Sequence, residues 1–223
     1  MKQFKALNLY SCLGGNRYKW DEVADQANVE LQVTAVELDP ELARLYQERF
    51  PNDIVIVADA HQYLLDHYKE FDFIWSSPPC PTHSRMMKAT KHDLAAFPDM
   101  KLYEEIIFLR HFFKGKWVVE NVKSYYEPLI HPYTSTRHYY WSNFTITPAY
   151  GIPEINDMSR ATREQMADYL GFNYPGPNIY LKGNHDPAQV LRNCIHPIEG
   201  SHILNLALGI IRKRDTKQTE LFD

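Results

Sequence analysis

Ala6-Leu7-Asn8-Leu9-Tyr10-Ser11-Cys12-Leu13-Gly14-Gly15 is the stretch that decides the fold class. Ala6–Tyr10 reads as a strand, and the turn Ser11–Gly15 ends it with two glycines, which let the backbone come close to a ligand. The turn leads toward a helix whose N-terminus points back at the same place. Downstream, Leu31–Glu37 is a second strand. Asp39 then caps a helix that begins at Pro40 and runs to about Arg49. Ile54–Val57, Phe71–Trp75 and Trp117–Val119 read as three more strands, with helices over Ala60–His67 and about Asp99–Phe113 between them. Tyr139–Trp141 and Phe144–Thr147 complete the strand-rich part. Strands alternating with helices predict an α/β, Rossmann-like fold: a mainly parallel sheet with helices on both faces.

Gly14-Gly15, Glu37, Asp59, Cys80 and Glu120 all fall at or just past the C-terminal end of a predicted strand. That edge is where open α/β sheets bind ligands, so a site is expected there. From Pro148 to Leu191 the pattern changes. Prolines and glycines become dense and only Arg163–Leu170 reads as helix, which predicts a small loop-rich insert. Helix returns over about Ser201–Ile211. The expected organisation is a core over 1–147, a recognition region over 148–191, a segment returning to the core over 192–214 and a flexible tail over 215–223.

Composition narrows the class. In 223 residues, 44% apolar and 23% charged, no run approaches the ~20 apolar residues of a membrane span. A cytoplasmic protein with no membrane partner is expected. Cys12, Cys80 and Cys194 are odd in number and lack zinc spacing, which reads as free thiols and no metal site. The net charge of −4 supplies no broad attraction for phosphates, so nucleic-acid contact has to come from local patches. Two are visible: the loop carrying Arg85, Lys88 and Lys91, and Arg212-Lys213-Arg214.

Neither a Walker-type phosphate loop nor a complete dinucleotide fingerprint is present, which leaves an adenosine cofactor without a pyrophosphate. S-adenosyl-L-methionine (SAM) fits: Glu37 could bind ribose hydroxyls, and Asp59 could take the adenine amino group as well as cap the next helix. Ser76-Ser77-Pro78-Pro79-Cys80-Pro81 carries the strongest local signal. Three prolines fix the backbone and hold one thiol in place at a strand end, as a nucleophile requires. Glu120 follows Trp117-Val118-Val119, where a carboxylate faces solvent or a site because burial without a partner is costly.

In this order the motifs resemble the DNA (cytosine-5) methyltransferase family. They are Leu9 to Gly15, Val36-Glu37-Leu38-Asp39, Asp59, Pro78-Pro79-Cys80, Glu120-Asn121-Val122, Arg137 within Arg137-His138-Tyr139-Tyr140-Trp141, and Arg192-Asn193-Cys194-Ile195-His196-Pro197. The resemblance implies Cys80, Glu120 and Arg137 as catalytic residues. It implies a SAM site from Tyr10, Cys12, Gly14, Gly15, Glu37, Leu38, Asp59, Ala60, Pro78, Asn193 and Cys194, and Arg85, Lys88 and Lys91 as contacts to double-stranded DNA. The implied chemistry is covalent. A Cys80 thiolate, its pKa lowered locally, adds to carbon 6 of a flipped-out cytosine, and the methyl group goes to carbon 5. This chain departs from the pattern at Cys12, where a glycine is expected and a side chain would approach the cofactor. It departs again at Ser135, where a second arginine is expected, and in the short recognition region.

Amino-methylating DNA enzymes need an aromatic ring where Cys80 stands, and a zinc deaminase needs a cysteine where His83 stands. An RNA cytosine-5 methyltransferase, or a non-catalytic DNA-binding regulator on the same fold, uses the same motifs. Gln218, Leu221 and Phe222 resemble the short motif that docks on the bacterial sliding clamp, which is a second expected partner.

Overall fold

The computed structural model describes residues 1–85, 97–172, 174, 178 and 186–210. Its centre is one seven-stranded sheet in the order β3-β2-β1-β4-β5-β7-β6. β1 (Lys2–Leu9) lies between β2 (Val29–Glu37) and β4 (Phe73–Ser76). β3 (Ile54–Val57) pairs outside β2, and β5 (Lys116–Val122) outside β4, all in parallel. β7 (His138–Ser142) runs antiparallel to β5, and the short β6 (Tyr133–Thr134) pairs with β7 at the edge.

β1 is apolar at successive positions because both faces of the sheet are covered. Leu7 and Leu9 join Ile74, Trp117 and Val119 beneath α3 (Ala60–His67) and α4 (Lys101–Phe112). On the other face Ala6, Phe73, Trp75, Val118 and Tyr140 pack against α1 (Trp20–Ala27) and α7 (Pro197–Ala207). α2 (Pro40–Arg49) begins where the sequence predicts: Asp39 accepts from the backbone N–H groups of Glu41 and Leu42, and Pro40 opens the helix. α1 starts five residues after Gly15, so its N-terminus does not abut the glycine turn.

The expected strand over Phe144–Thr147 is absent. Asn143 blocks it: its side chain accepts from the Trp117 N–H and donates to the Gly115 carbonyl, which ends the antiparallel ladder at Ser142. The apolar residues that made this stretch look like a strand are used in packing instead, since Phe144 and Ile146 enter the cluster beneath α7. α5 (Arg163–Leu170), with a Thr162–Gln165 capping box, and the short α6 (Gln189–Arg192) form a separate cluster with Leu13, Leu42 and Leu45. The described part of 148–191 is therefore packed against α2 and the glycine turn. Lys88, Lys91, Arg212-Lys213-Arg214 and the Gln218, Leu221, Phe222 motif lie outside the described residues. Among the described residues no helix is long and apolar enough to cross a membrane.

Candidate active site

One row of paired residues crosses the sheet: Ile56, Val36, Leu9, Ser76 and Val119. Beyond it β1 turns away at Tyr10 and β4 ends, because Pro78 and Pro79 have no N–H to continue a ladder. β5 alone goes on, held by β7, so Glu120 stands past the end of the parallel sheet although it lies inside its own strand. Glu120 is thus not at the strand end as expected, and the antiparallel neighbour β7 is the reason.

The Pro-Pro-Cys loop is pinned beside it. Buried Asn121 donates to the Pro78 carbonyl at 2.9 Å. The Cys80 carbonyl accepts from the backbone of His83 and Ser84, and the His83 ring meets the Tyr126 hydroxyl at 2.6 Å. Cys80 itself is half-buried. Burial first, and then the Glu120 charge, push its thiol up to about 11. This corrects the expectation of a lowered pKa: the surroundings of the sulfur favour the thiol over the thiolate. Burial likewise raises Glu120, opposed by His138 and Ser77, with Arg137 near enough to contribute. Arg137 sits in the β6–β7 turn, where the Ser135 hydroxyl accepts from the N–H groups of Arg137 and His138. Among the described residues no side chain or carbonyl engages its guanidinium. Cys80, Glu120 and Arg137 come together. Arg85 is exposed at the other end of the loop and donates to the Ser124 carbonyl.

Across the β1 end lies the other half of the edge. Glu37 accepts from the Cys12 and Asp39 backbone N–H groups at 2.8 and 3.1 Å, so it holds the turn in addition to any ligand. Leu38 is 67% exposed, and exposed Asp59 caps α3, which holds its pKa down. Buried Ala60 opens that helix. The glycines are tightly packed against protein. A Cβ on Gly14 would strike the Tyr46 and Phe50 rings, and one on Gly15 would strike the Ile195 carbonyl and Cys194. Their smallness admits these protein neighbours. Cys12 is in a left-handed conformation (φ +47°), and its thiol turns to the Val190 carbonyl, beside Cys194. Cys194 is buried beneath Gly15, whereas Asn193 is exposed and accepts from Gln189.

These residues fit an adenosine-type cofactor. An apolar Leu38 stands beside two carboxylates with spare acceptor capacity, and the buried Ser11 hydroxyl has no hydrogen-bond partner among the described residues.

Four functional candidates were not visible in the sequence. Glu105 on α4 is fully buried and accepts from the Tyr10 hydroxyl (2.6 Å) and the Ser76 hydroxyl (2.5 Å), with the His61 ring at 3.0 Å. It ties the ends of β1 and β4 to α3. His138 lies between Glu120 (3.8 Å) and Glu199 of α7 (3.7 Å). No local pattern marks Glu105, His61, His138 or Glu199, because their partners lie far away in the chain.

The profile of C-5 cytosine-specific DNA methylases matches residues 4–129, more than half of the chain. The chain belongs to that family. As a member it is a SAM-dependent cytosine-5 methyltransferase, and the sheet order and covering helices are those of the Rossmann-like methyltransferase fold. Among solved structures, a Spodoptera frugiperda DNMT2 mutant (E260A/E261A/K263A) is 14% identical at TM-score 0.58, over 92% of this chain and 99% of that one. A hypothetical protein from Thermus thermophilus is 19% identical at TM-score 0.39, over 62% of this chain and 73% of that one. No curated protein sequence matches the chain.

Proposed function

We propose that this methylase modifies cytosine in double-stranded DNA through a covalent bond from Cys80 to carbon 6 of a flipped-out base. The observation that carries the reading is the meeting of Cys80, Glu120 and Arg137 beyond the end of the parallel sheet.

SAM, when bound by residues around Glu37, Leu38 and Asp59, supplies an electrophilic methyl group. Carbon 5 of cytosine is too electron-poor to accept it unaided. Cys80 gives its proton to water as its sulfur bonds to carbon 6. The ring π pair is thereby displaced toward carbon 5 and N3. Glu120, whose pKa burial raises, donates its proton to N3 as charge gathers there. Arg137, whose guanidinium donors are unengaged among the described residues, binds the carbonyl oxygen of the base. After transfer, carbon 5 loses its proton to a base, the electron pair reforms the ring double bond, and the carbon–sulfur bond breaks. Glu120 then recovers the N3 proton. A paired base cannot reach these groups inside a duplex, so it leaves the stack. The described part of 148–191 packs outside the sheet, which supports a role for that segment in recognising sequence, and exposed Arg85 is a candidate for gripping phosphate.

The test pairs two acceptors. Labelled SAM should mark duplex DNA and not RNA of the same sequence. DNA carrying 5-fluorocytosine should leave a denaturation-resistant adduct that Cys80→Ser abolishes. Label entering RNA alone makes the chain an RNA methyltransferase, label in neither acceptor supports a non-catalytic regulator, and an adduct surviving Cys80→Ser refutes the nucleophile.

A further inference from the structure

His138 is enclosed by two carboxyl groups from different elements. On the β5–β7 ladder Val122 faces His138 and Glu120 faces Tyr140, so all four side chains project from one face of the sheet. α7 packs on that face through Ile203 and Leu204, and its Glu199 rises to the imidazole from below. Nε2 stands 3.8 Å from a Glu120 oxygen and Nδ1 stands 3.7 Å from a Glu199 oxygen. The three side chains are 7%, 9% and 11% exposed for His138, Glu120 and Glu199.

Such a trio is a poor way to hold a sheet together. Each buried ion costs several kcal/mol that its partners only partly return, and apolar side chains of equal volume would pack at no such cost. Nor is it saturated. His138 Nδ1 and the Tyr140 hydroxyl have no hydrogen-bond partner among the described residues, and both contacts to the imidazole are longer than hydrogen bonds. Catalytic hydrogen bonds are often long before ligands bind and tighten when the site fills. A protonated imidazole donates from both nitrogens, so a shift of under an ångström would give each carboxylate one bond.

We propose that His138 and Glu199 are positioning residues for methyl transfer, forming a Glu120–His138–Glu199 chain that fixes one Glu120 oxygen and leaves the other toward the base. When Glu120 gives its proton to N3, His138 stabilises the carboxylate that remains, and Glu199 holds the imidazole in place. The proposal rests on Glu120 acting as the acid. The field around the trio supports it. Burial pushes Glu199 up, but His138, Ser135 and Tyr140 outweigh it and keep it below the ordinary carboxylate range. Burial raises Glu120, His138 opposes the rise and Glu199 adds to it. Arg137, Cys80, Tyr133 and His196 are the other titratable or charged groups near this cluster.

The test is the pH dependence of kcat with labelled SAM and whichever nucleic acid proves the acceptor. Activity should fall at high pH as Glu120 loses its proton. His138→Gln removes the group that opposes the rise of Glu120, so its basic limb should move to higher pH. Glu199→Gln removes a contribution to that rise, so its limb should move to lower pH. Each variant should lose about 10–100-fold in kcat, the scale of a misplaced catalytic group, with the KM for SAM unchanged. Thermal melting and SAM binding report whether each variant is folded. Opposite limb shifts in folded variants establish the chain. Lower kcat with both limbs unmoved makes the pair structural and overturns the proposal, as does unchanged kcat. An active Glu120→Gln overturns both this and the acid role, whereas an inactive one beside unshifted His138→Gln and Glu199→Gln overturns this proposal alone.

Discussion

Glu105 and Glu120 are both buried carboxyl groups near the C-terminal edge of the same sheet, and they are held in opposite ways. Glu105 is saturated: two hydroxyls and an imidazole surround it within 3.0 Å, and the group belongs to the frame between β1, β4 and α3. Among the described residues Glu120 has no ring of donors of that kind, although Ser77 lies near enough to lower its pKa. Its His138 contact is 3.8 Å, and burial raises its pKa. A buried carboxylate with its hydrogen bonds complete stabilises structure. One left short of donors has its pKa raised and keeps capacity for a ligand. The contrast separates the cofactor half of the edge from the half assigned to the base.

The largest effect should come from the unsaturated member. Glu120→Gln should lower kcat by about 10²–10⁴-fold, the range for loss of a general acid. Its stability should move the other way. A carboxyl whose folded pKa is raised loses stability as pH rises from the unfolded value through the folded one. At pH 8 the wild type carries that penalty and the glutamine does not, so the variant should melt at or above the wild-type temperature. A variant that melts well below it would place Glu120 in the same class as Glu105.

Glu105→Ala should break the frame. It leaves the Tyr10 and Ser76 hydroxyls buried without their acceptor, for a loss of roughly 3 kcal/mol in denaturant unfolding. SAM affinity measured by calorimetry should fall as Tyr10 is released. Unchanged stability would show that the three contacts are not a working network.

A smaller effect is expected at the thiol. Cys80 alkylation by iodoacetamide should rise with pH toward a midpoint near about 11 in the free enzyme. Removing the nearby charge in Glu120→Gln should shift that midpoint downward. A wild-type midpoint near 7 would restore the activated thiolate that the sequence leads one to expect.

Smallest is the relief of backbone strain in the cofactor half. Cys12 occupies φ +47°, a left-handed conformation that costs an ordinary residue about 1–2 kcal/mol and glycine almost nothing. Cys12→Gly should raise unfolding stability by up to about 1 kcal/mol after the loss of thiol packing, with SAM binding equal or tighter. A large loss of SAM affinity would give the thiol a positive role.

The alternation of strands and helices and the N-caps at Asp39 and Asp59 were legible from sequence. Apolar period announces the elements, and Pro40 after Asp39 announces a helix start. Cys80 and Glu120 stood out as candidates by their neighbours, whereas Arg137 was suggested only by the family resemblance. Phe144–Thr147 misled because its apolar residues mark burial, and burial does not distinguish a strand from a packed loop. At Gly14-Gly15 smallness showed a close approach without naming what approaches, and the structure adds protein neighbours there.

By itself, then, the sequence determined a mainly parallel α/β sheet, the edge that carries the site and the residues set along it. Tertiary structure decided which charges meet there. Residues 10 and 105, 76 and 105, and 138 and 199 become neighbours only when the sheet closes and α4 and α7 pack on opposite faces. It also decided the protonation of the site, lifting the Cys80 thiol where the local motif promised a thiolate. The reason is that local propensity acts through neighbours in the chain, whereas burial and electric field depend on every group that folding brings near.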